Sequence, residues 1–260
     1  MLLTRAPPPP SLDDLWPSYR TIKNPTRKQA SSKTTLYIFS PTSRMAKMIS
    51  PKDGLRALQQ ILGLQRALGR KDGGDSSGTA LVAIDFEYTE SLLTKFRACK
   101  NSQTGLAILL DPRGGIRRQG SEKNAISTHN FITGSAKYVD KSSRRYIFGE
   151  SVPVKSDALL GKTMEKIPTD REVVLLAHGA GNESKVLRAL GYEFPASVAG
   201  MLDTREMAGC VFGGDWRPSL VDLLRGLGCA AEGLHSAGND AYFTPRAALL
   251  LAARESTGQA

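Results

Sequence analysis

The sequence predicts an α/β protein: a mixed central sheet flanked by helices, behind a basic and largely irregular N-terminal extension. Three observations carry this. Short apolar runs such as Ala80–Ile84 and Val173–Ala177 have the length and composition of strands buried on both faces. Three strand candidates come first, and strands then alternate with amphipathic helices, an order that gives one sheet with helices laid over it. The length of 260 residues suits one domain of ordinary size plus an extension, and such a domain can bury a proper core.

Taken in order, residues 1–49 read as irregular, with Pro7–Pro10 followed by a Lys/Arg/Ser/Thr-rich stretch of little periodicity. Leu55, Leu58, Ile61, Leu62 and Leu68 then recur at helical spacing, with Gln65 the one polar interruption. Ser50 suits the cap, Pro51 the first helical position and Gly69 the end, so a helix is expected over residues 51–69. The polar run Lys71–Gly78 has linker composition and places a domain boundary there. That divides the chain into an extension over 1–78 and a domain over 79–256.

The domain opens with the Ala80–Ile84 strand. Gly105–Leu110 is the second strand candidate, and the third lies within Ile126–Thr133. Ala158–Ile167 reads as a helix, Glu172–Ala177 as a buried strand and Glu183–Leu190 as a helix. Ser219–Leu227 places Leu220, Leu223, Leu224 and Leu227 on one helical face, and Asn239–Arg254 is a long Ala/Leu-rich helix. No internal repeat interrupts this order.

Charge is unevenly spread over these parts. Residues 1–78 hold 13 Lys/Arg against 5 Asp/Glu, and the remainder 22 against 20. A basic arm on a nearly neutral body suits a polyanion such as RNA or single-stranded DNA, held through its phosphates. The same arm is a candidate contact for a protein partner. Three scattered cysteines, Cys99, Cys210 and Cys229, make no disulfide framework and fit a reducing compartment, cytoplasm or nucleus. No apolar run reaches the roughly 18–20 residues that cross a bilayer. The N-terminus has no apolar core of a secretory signal, and its Ser/Arg/Lys content leaves a mitochondrial presequence open.

The chemistry starts at Ile84–Tyr88. Strand alternation puts Asp85 and Glu87 on one face, and two adjacent carboxylates repel unless a cation lies between them. A hard divalent ion with a preference for oxygen is the simplest such cation. Near the C-terminus His235 stands five residues before Asp240. On a continuous helix their side chains would diverge by about 140°. They converge only if His235 lies on the loop entering the helix, which Gly233 and Gly238 permit.

These residues resemble a family. Asp85-x-Glu87 is similar to the first motif of DEDD 3′-5′ exonucleases, and the His235-x4-Asp240 spacing to the third motif of the histidine-bearing DEDDh branch. Leu202–Ala208 is similar to the Asp-Thr strand of that branch. The wording of Leu234–Thr244, with Phe148–Ser151 before a helix, most resembles the fungal good-for-full (Gfd-like) type of RNase H-like domain. The resemblance covers residues 79–256. It implies an RNase H-like fold and two-metal phosphodiester hydrolysis. Asp85, Glu87, Glu183 and Asp240 would hold two Mg²⁺ or Mn²⁺ ions, His235 would act as general base, and Tyr88 and Thr89 would meet the terminal nucleotide.

One position departs from the pattern. Where the second motif has an aspartate after its His-Gly turn, His178–Glu183 carries Glu183. The extra methylene displaces the carboxylate, and a shift of about 1 Å can cost a hundredfold in rate. The same sequence therefore also fits an RNase H-like module that binds nucleic acid or recruits a protein without catalysis. Other readings fail on particular residues. Gly179-x-Gly181-x-x-Ser184, with Asp203 downstream, lacks the third glycine of a dinucleotide fingerprint. An α/β-hydrolase triad would need a histidine after His235, and none follows. A phosphate loop ending at Gly161-Lys162-Thr163 has Ser156 where its first glycine belongs.

Overall fold

A computed structural model of the protein describes residues 46–64, 78–87, 101–112 and 126–257. The elements run α1 (Pro51–Leu62), β1 (Ala80–Glu87), β2 (Asn101–Leu109), β3 (Ser127–Gly134), α2 (Ala136–Ser143), β4 (Ser151–Pro153), α3 (Leu159–Met164), β5 (Val173–Ala177), α4 (Ala180–Ala189), β6 (Val198–Asp203), α5 (Thr204–Phe212), α6 (Leu220–Gly226) and α7 (Ala237–Thr257).

Strand β1 is the spine of the sheet. Alternation sends Leu81 and Ala83 to one face and Ala80, Val82, Ile84 and Phe86 to the other, and all six are buried. A strand apolar on both sides needs helices on both sides. The first face lies against α1, α5, α6 and α7, the second against α3 and α4. The strand order is β4-β3-β2-β1-β5-β6. β1, β2 and β3 are successively antiparallel, whereas β4 runs parallel to β3, β5 to β1 and β6 to β5. This is the expected mixed sheet, and it brings the C-terminal ends of β1, β5 and β6 to one side.

The helix expected over 51–69 forms over Pro51–Leu62, with Ser50 accepting from the Asp53 N–H. It stops at a left-handed Gly63 rather than at Gly69; Gln65, Leu68 and Gly69 lie outside the described residues. Leu55, Leu58, Ile61 and Leu62 are buried in the same cluster as α7, and the Gln59 amide donates to the Ala252 carbonyl. At roughly 1.5–3 kcal/mol for each such side chain, these contacts tie the segment firmly to the body. A cut at residue 78 would remove one wall of the core. Just before α1, Ile49 donates to the Met201 carbonyl and Met201 to that of Lys47, so this segment covers part of the outer edge of β6.

Three elements were not expected. α2 buries only Ser142, so it carries no apolar stripe to announce it. β4 has three residues. The third, α5, corrects the reading of Leu202–Ala208 as a strand: β6 ends at Asp203, whose side chain caps the helix starting at Thr204.

Candidate metal centre

Asp85 and Glu87 project from the face of β1 that also carries Leu81 and Ala83, toward α7. In the register Asp85 stands opposite Gly105 and Glu87 opposite Gln103. Gly105 decides what can approach. A Cβ there would collide with the Ala237 carbonyl, so its absence lets the first turn of α7 rest directly on β2 beside Asp85. The Ser236 hydroxyl reaches Gln103, and the Gly238 N–H donates to Asn130 on β3. The start of α7 is thereby pinned to two neighbouring strands.

His235 lies on the loop that enters α7, as expected. The loop turns at Gly233 and at His235 itself, both left-handed at φ 66°. Gly238 does not supply the expected loop freedom: it is inside α7, packed so closely on the Tyr146 ring and Asn130 Cβ that no side chain would fit. The His235 backbone N–H donates to both Asp240 carboxylate oxygens, at 3.2 and 3.3 Å. That contact fixes Asp240 and leaves the imidazole on an exposed residue.

The result is a convergence of three carboxylates. Asp85, Glu87 and Asp240 each offer an oxygen, and these atoms lie within 4.8 Å of one another. Burial, and then the charges of Asp240, Glu183 and Glu87, push the Asp85 carboxyl well above the usual carboxylate range. Burial and Glu87 raise Asp240 to about 7, against the lowering effect of the His235 N–H. Glu87 is raised by burial, against the lowering effect of His235 and Arg145. The buried Asp85 Oδ2 has no hydrogen-bond partner among the described residues. An all-oxygen donor set that repels itself and leaves a buried lone pair unused fits a hard divalent cation.

Glu183 is brought near but not into that group. It sits in the first turn of α4, is 6% exposed, and its Oε2 is a second buried oxygen without a partner among the described residues. Burial raises its carboxyl to about 7, with contributions from Asp203 and Glu87. No ligand set of three that includes Glu183 forms among the described residues. The turn before it is anchored by residues whose role the sequence did not reveal. The Asp203 carboxylate accepts from the Gly179 and Ala180 N–H groups at 2.9 and 2.8 Å while also capping α5. Those amides are the ones a dinucleotide phosphate would have needed, so the fingerprint reading is excluded a second time. Gly179 makes the turn at φ 91°, a conformation glycine adopts without strain. Half-buried His178 contacts the Thr204 hydroxyl through Nδ1 and the Pro218 carbonyl through Nε2, a structural anchor outside the three-carboxylate group.

Tyr88 and Thr89 lie outside the described residues. Besides Asp203, sequence reasoning missed Gly105, Arg145 and Asn239. Asp203-Thr204 at a strand end is a capping signature that was available to it. The other three depend on partners about 90–130 residues away, and no local pattern marks them.

Comparison with known proteins bears on this arrangement. Residues 80–251 match the family described as DNA polymerase III subunit epsilon-like, C-terminal domain (DEDDh_C). None of the curated proteins matches the chain. Among solved structures it is similar to the X-ray structure of the RNase domain of the yeast Pop2 protein, with 12% identity and a TM-score of 0.37 over 87% of this chain and 90% of that one.

Proposed function

Since the chain belongs to the DNA polymerase III subunit epsilon-like DEDDh family, within the RNase H-like DEDD superfamily, we propose that it is a 3′-5′ exonuclease of single-stranded nucleic acid, RNA or DNA. The observation that carries this reading is the convergence of Asp85, Glu87 and Asp240 around a buried, unpartnered oxygen. Bound there, two Mg²⁺ or Mn²⁺ ions would supply the charge that acidifies the attacking water and neutralises the leaving oxygen. Asp85 contributes from the rigid centre of the sheet, and Asp240 from a helix start pinned to β2 and β3. His235, with its backbone held on Asp240 and its side chain exposed, takes the water's proton. Glu183 stands at the second-motif position outside the three-carboxylate group, and Tyr88 and Thr89 receive the terminal nucleotide.

The finer family reading is the fungal good-for-full type. Its two signature stretches touch in the fold: the Phe148 ring stacks on Tyr242 with centroids 3.6 Å apart. The free thiols of Cys210 and Cys229 fit a reducing compartment, cytoplasm or nucleus. No helix among the described residues is long and apolar enough to cross a membrane. Residues 1–45 hold 7 of the Lys/Arg residues and 2 of the Asp/Glu, and we assign them to phosphate contacts or to a protein partner. The domain proper then takes in α1 and runs to residue 257.

The test is degradation of 5′-labelled single-stranded RNA and DNA with Mg²⁺ or Mn²⁺. The expected result is progressive shortening from the 3′ end, lost on chelation and in Asp85→Asn. No shortening of either polymer with either metal sinks the exonuclease reading. One observation favours a second reading, a binding module of impaired catalysis: Glu183 falls outside the three-carboxylate group and sits at about 7. That reading predicts metal-induced thermal stabilisation and oligonucleotide binding without turnover.

A further inference from the structure

The loop between α2 and β4 is tied to the first turn of α7, next to Asp240, and it is held more firmly than a surface connection requires. Asn239, fully buried in the first turn of α7, makes three hydrogen bonds. Its amide donates to the carbonyls of Arg145 (2.7 Å) and Gly233 (2.6 Å), and its oxygen accepts from the Ile147 N–H (3.1 Å). The Phe148 ring stacks on Tyr242, and the Phe148 carbonyl accepts from Thr128. A single side chain thus staples the loop carrying Arg145 to the loop carrying His235, next in sequence to Asp240. Yet the Arg145 side chain is exposed and makes no ion pair or hydrogen bond among the described residues. Its neighbour Arg144 is tied to Asp140 at 2.7 Å. A rigid backbone that presents an unengaged guanidinium beside a cluster of carboxylates fits an anion that arrives with the substrate.

We propose that Arg145 is a substrate-binding residue of this site, meeting a phosphate of single-stranded nucleic acid beside the scissile bond, with Asn239 as the positioning residue that holds its loop. The proposal rests on the nuclease reading for the identity of the anion. Guanidinium offers a planar fork of donors that matches two phosphate oxygens, which lysine does not.

The test uses the full chain with Mg²⁺ and a fluorescent, phosphorothioate-linked oligothymidylate as probe, read by anisotropy across a salt series. Arg145→Ala is expected to weaken binding by about tenfold and to flatten the log-affinity against log-salt slope by about 0.7, the value of one single-strand phosphate contact. Arg145→Lys should recover the slope but only part of the affinity. Arg144→Ala removes the same charge one residue away and should stay within about twofold of the parent. The Mn²⁺-induced rise in melting temperature should be no smaller in Arg145→Ala than in the parent, because Arg145 supplies no metal oxygen and its charge opposes a cation. Equal effects of the two alanine variants, or none from either, overturn the proposal, as does a parent that does not bind the probe. If the parent binds and the Arg145 difference holds but no polymer is hydrolysed, the phosphate contact stands and the exonuclease reading alone fails. If hydrolysis is present and Arg145→Ala leaves KM unchanged, the contact fails and the exonuclease reading stands.

Discussion

Asp240 and Glu183 look alike in sequence and in local structure, yet they belong to different surroundings. Each is the acidic residue in the first turn of a helix, and each is raised to about 7, mainly by burial. Asp240 is aimed by the His235 N–H and joins Asp85 and Glu87 in a common set. Glu183 stands behind that set, next to Asp203, with one oxygen unpartnered. A shared local position thus says little about ligation. What separates the two is the floor beneath each helix start: α7 rests on a glycine, Gly105, whereas α4 is tethered to the Asp203 carboxylate.

The sharpest way to break the comparison is to neutralise Asp240. Asp240→Asn should lower turnover by about 10³-fold, the equivalent of about 4 kcal/mol, and remove the metal-induced rise in melting temperature. Glu183→Gln should leave most of that rise in place. If the two variants lose metal stabilisation equally, both residues are ligands and the distinction disappears.

The floor itself can be tested with Gly105→Ala. The added methyl meets the Ala237 carbonyl, which is backbone and cannot swing aside. A loss of about 1–3 kcal/mol or more in denaturant unfolding is expected, together with weaker Mn²⁺ binding as Asp240 is lifted away. Unchanged stability would mean that α7 does not rest on this strand.

The effect expected at Glu183 is smaller. Glu183→Asp should raise turnover by about tenfold if the shorter side chain restores the reach of a second-motif ligand. Glu183→Ala should abolish activity in that case. A residue that only favours the helix dipole would instead change stability by about 0.3–1 kcal/mol and leave metal titration untouched. Steady-state kinetics and metal titration on the pair separate these outcomes.

The smallest effect expected is a pH slope. A carboxyl whose folded pKa is raised contributes stability below its unfolded value and loses it as pH rises through the folded one. With Asp240 and Glu183 both raised to about 7, the metal-free protein should lose thermal stability as pH rises from about 4 to about 7. Saturating Mg²⁺ should remove the part due to Asp240. A slope that remains with Mg²⁺ and vanishes in Glu183→Gln would place Glu183 outside the metal set, and a slope absent under all conditions would contradict the burial of both groups.

The legible and illegible parts of this site divide by the range of the interactions that make them. Alternation along Ala80–Glu87 determined that Asp85 and Glu87 share a face, because side chains on a strand point to opposite sides in turn. The five-residue spacing of His235 and Asp240 determined that His235 must lie off the helix, because a continuous helix would part them. Apolar runs likewise determined the sheet and its helical cover. Local periodicity could not reveal α2, which buries one residue, or the end of β6 at Asp203, where a capping carboxylate rather than hydrophobicity stops the strand. Nor could it reveal that Gly105 admits α7, that Asp203 fills the turn before Glu183, or that Asn239 joins two loops from beneath. These were decided by the tertiary structure, because each is a contact between chain segments brought together only when the helices close over the sheet. For the same reason the sequence placed Glu183 at the right motif position, and only packing set its distance from the other three carboxylates.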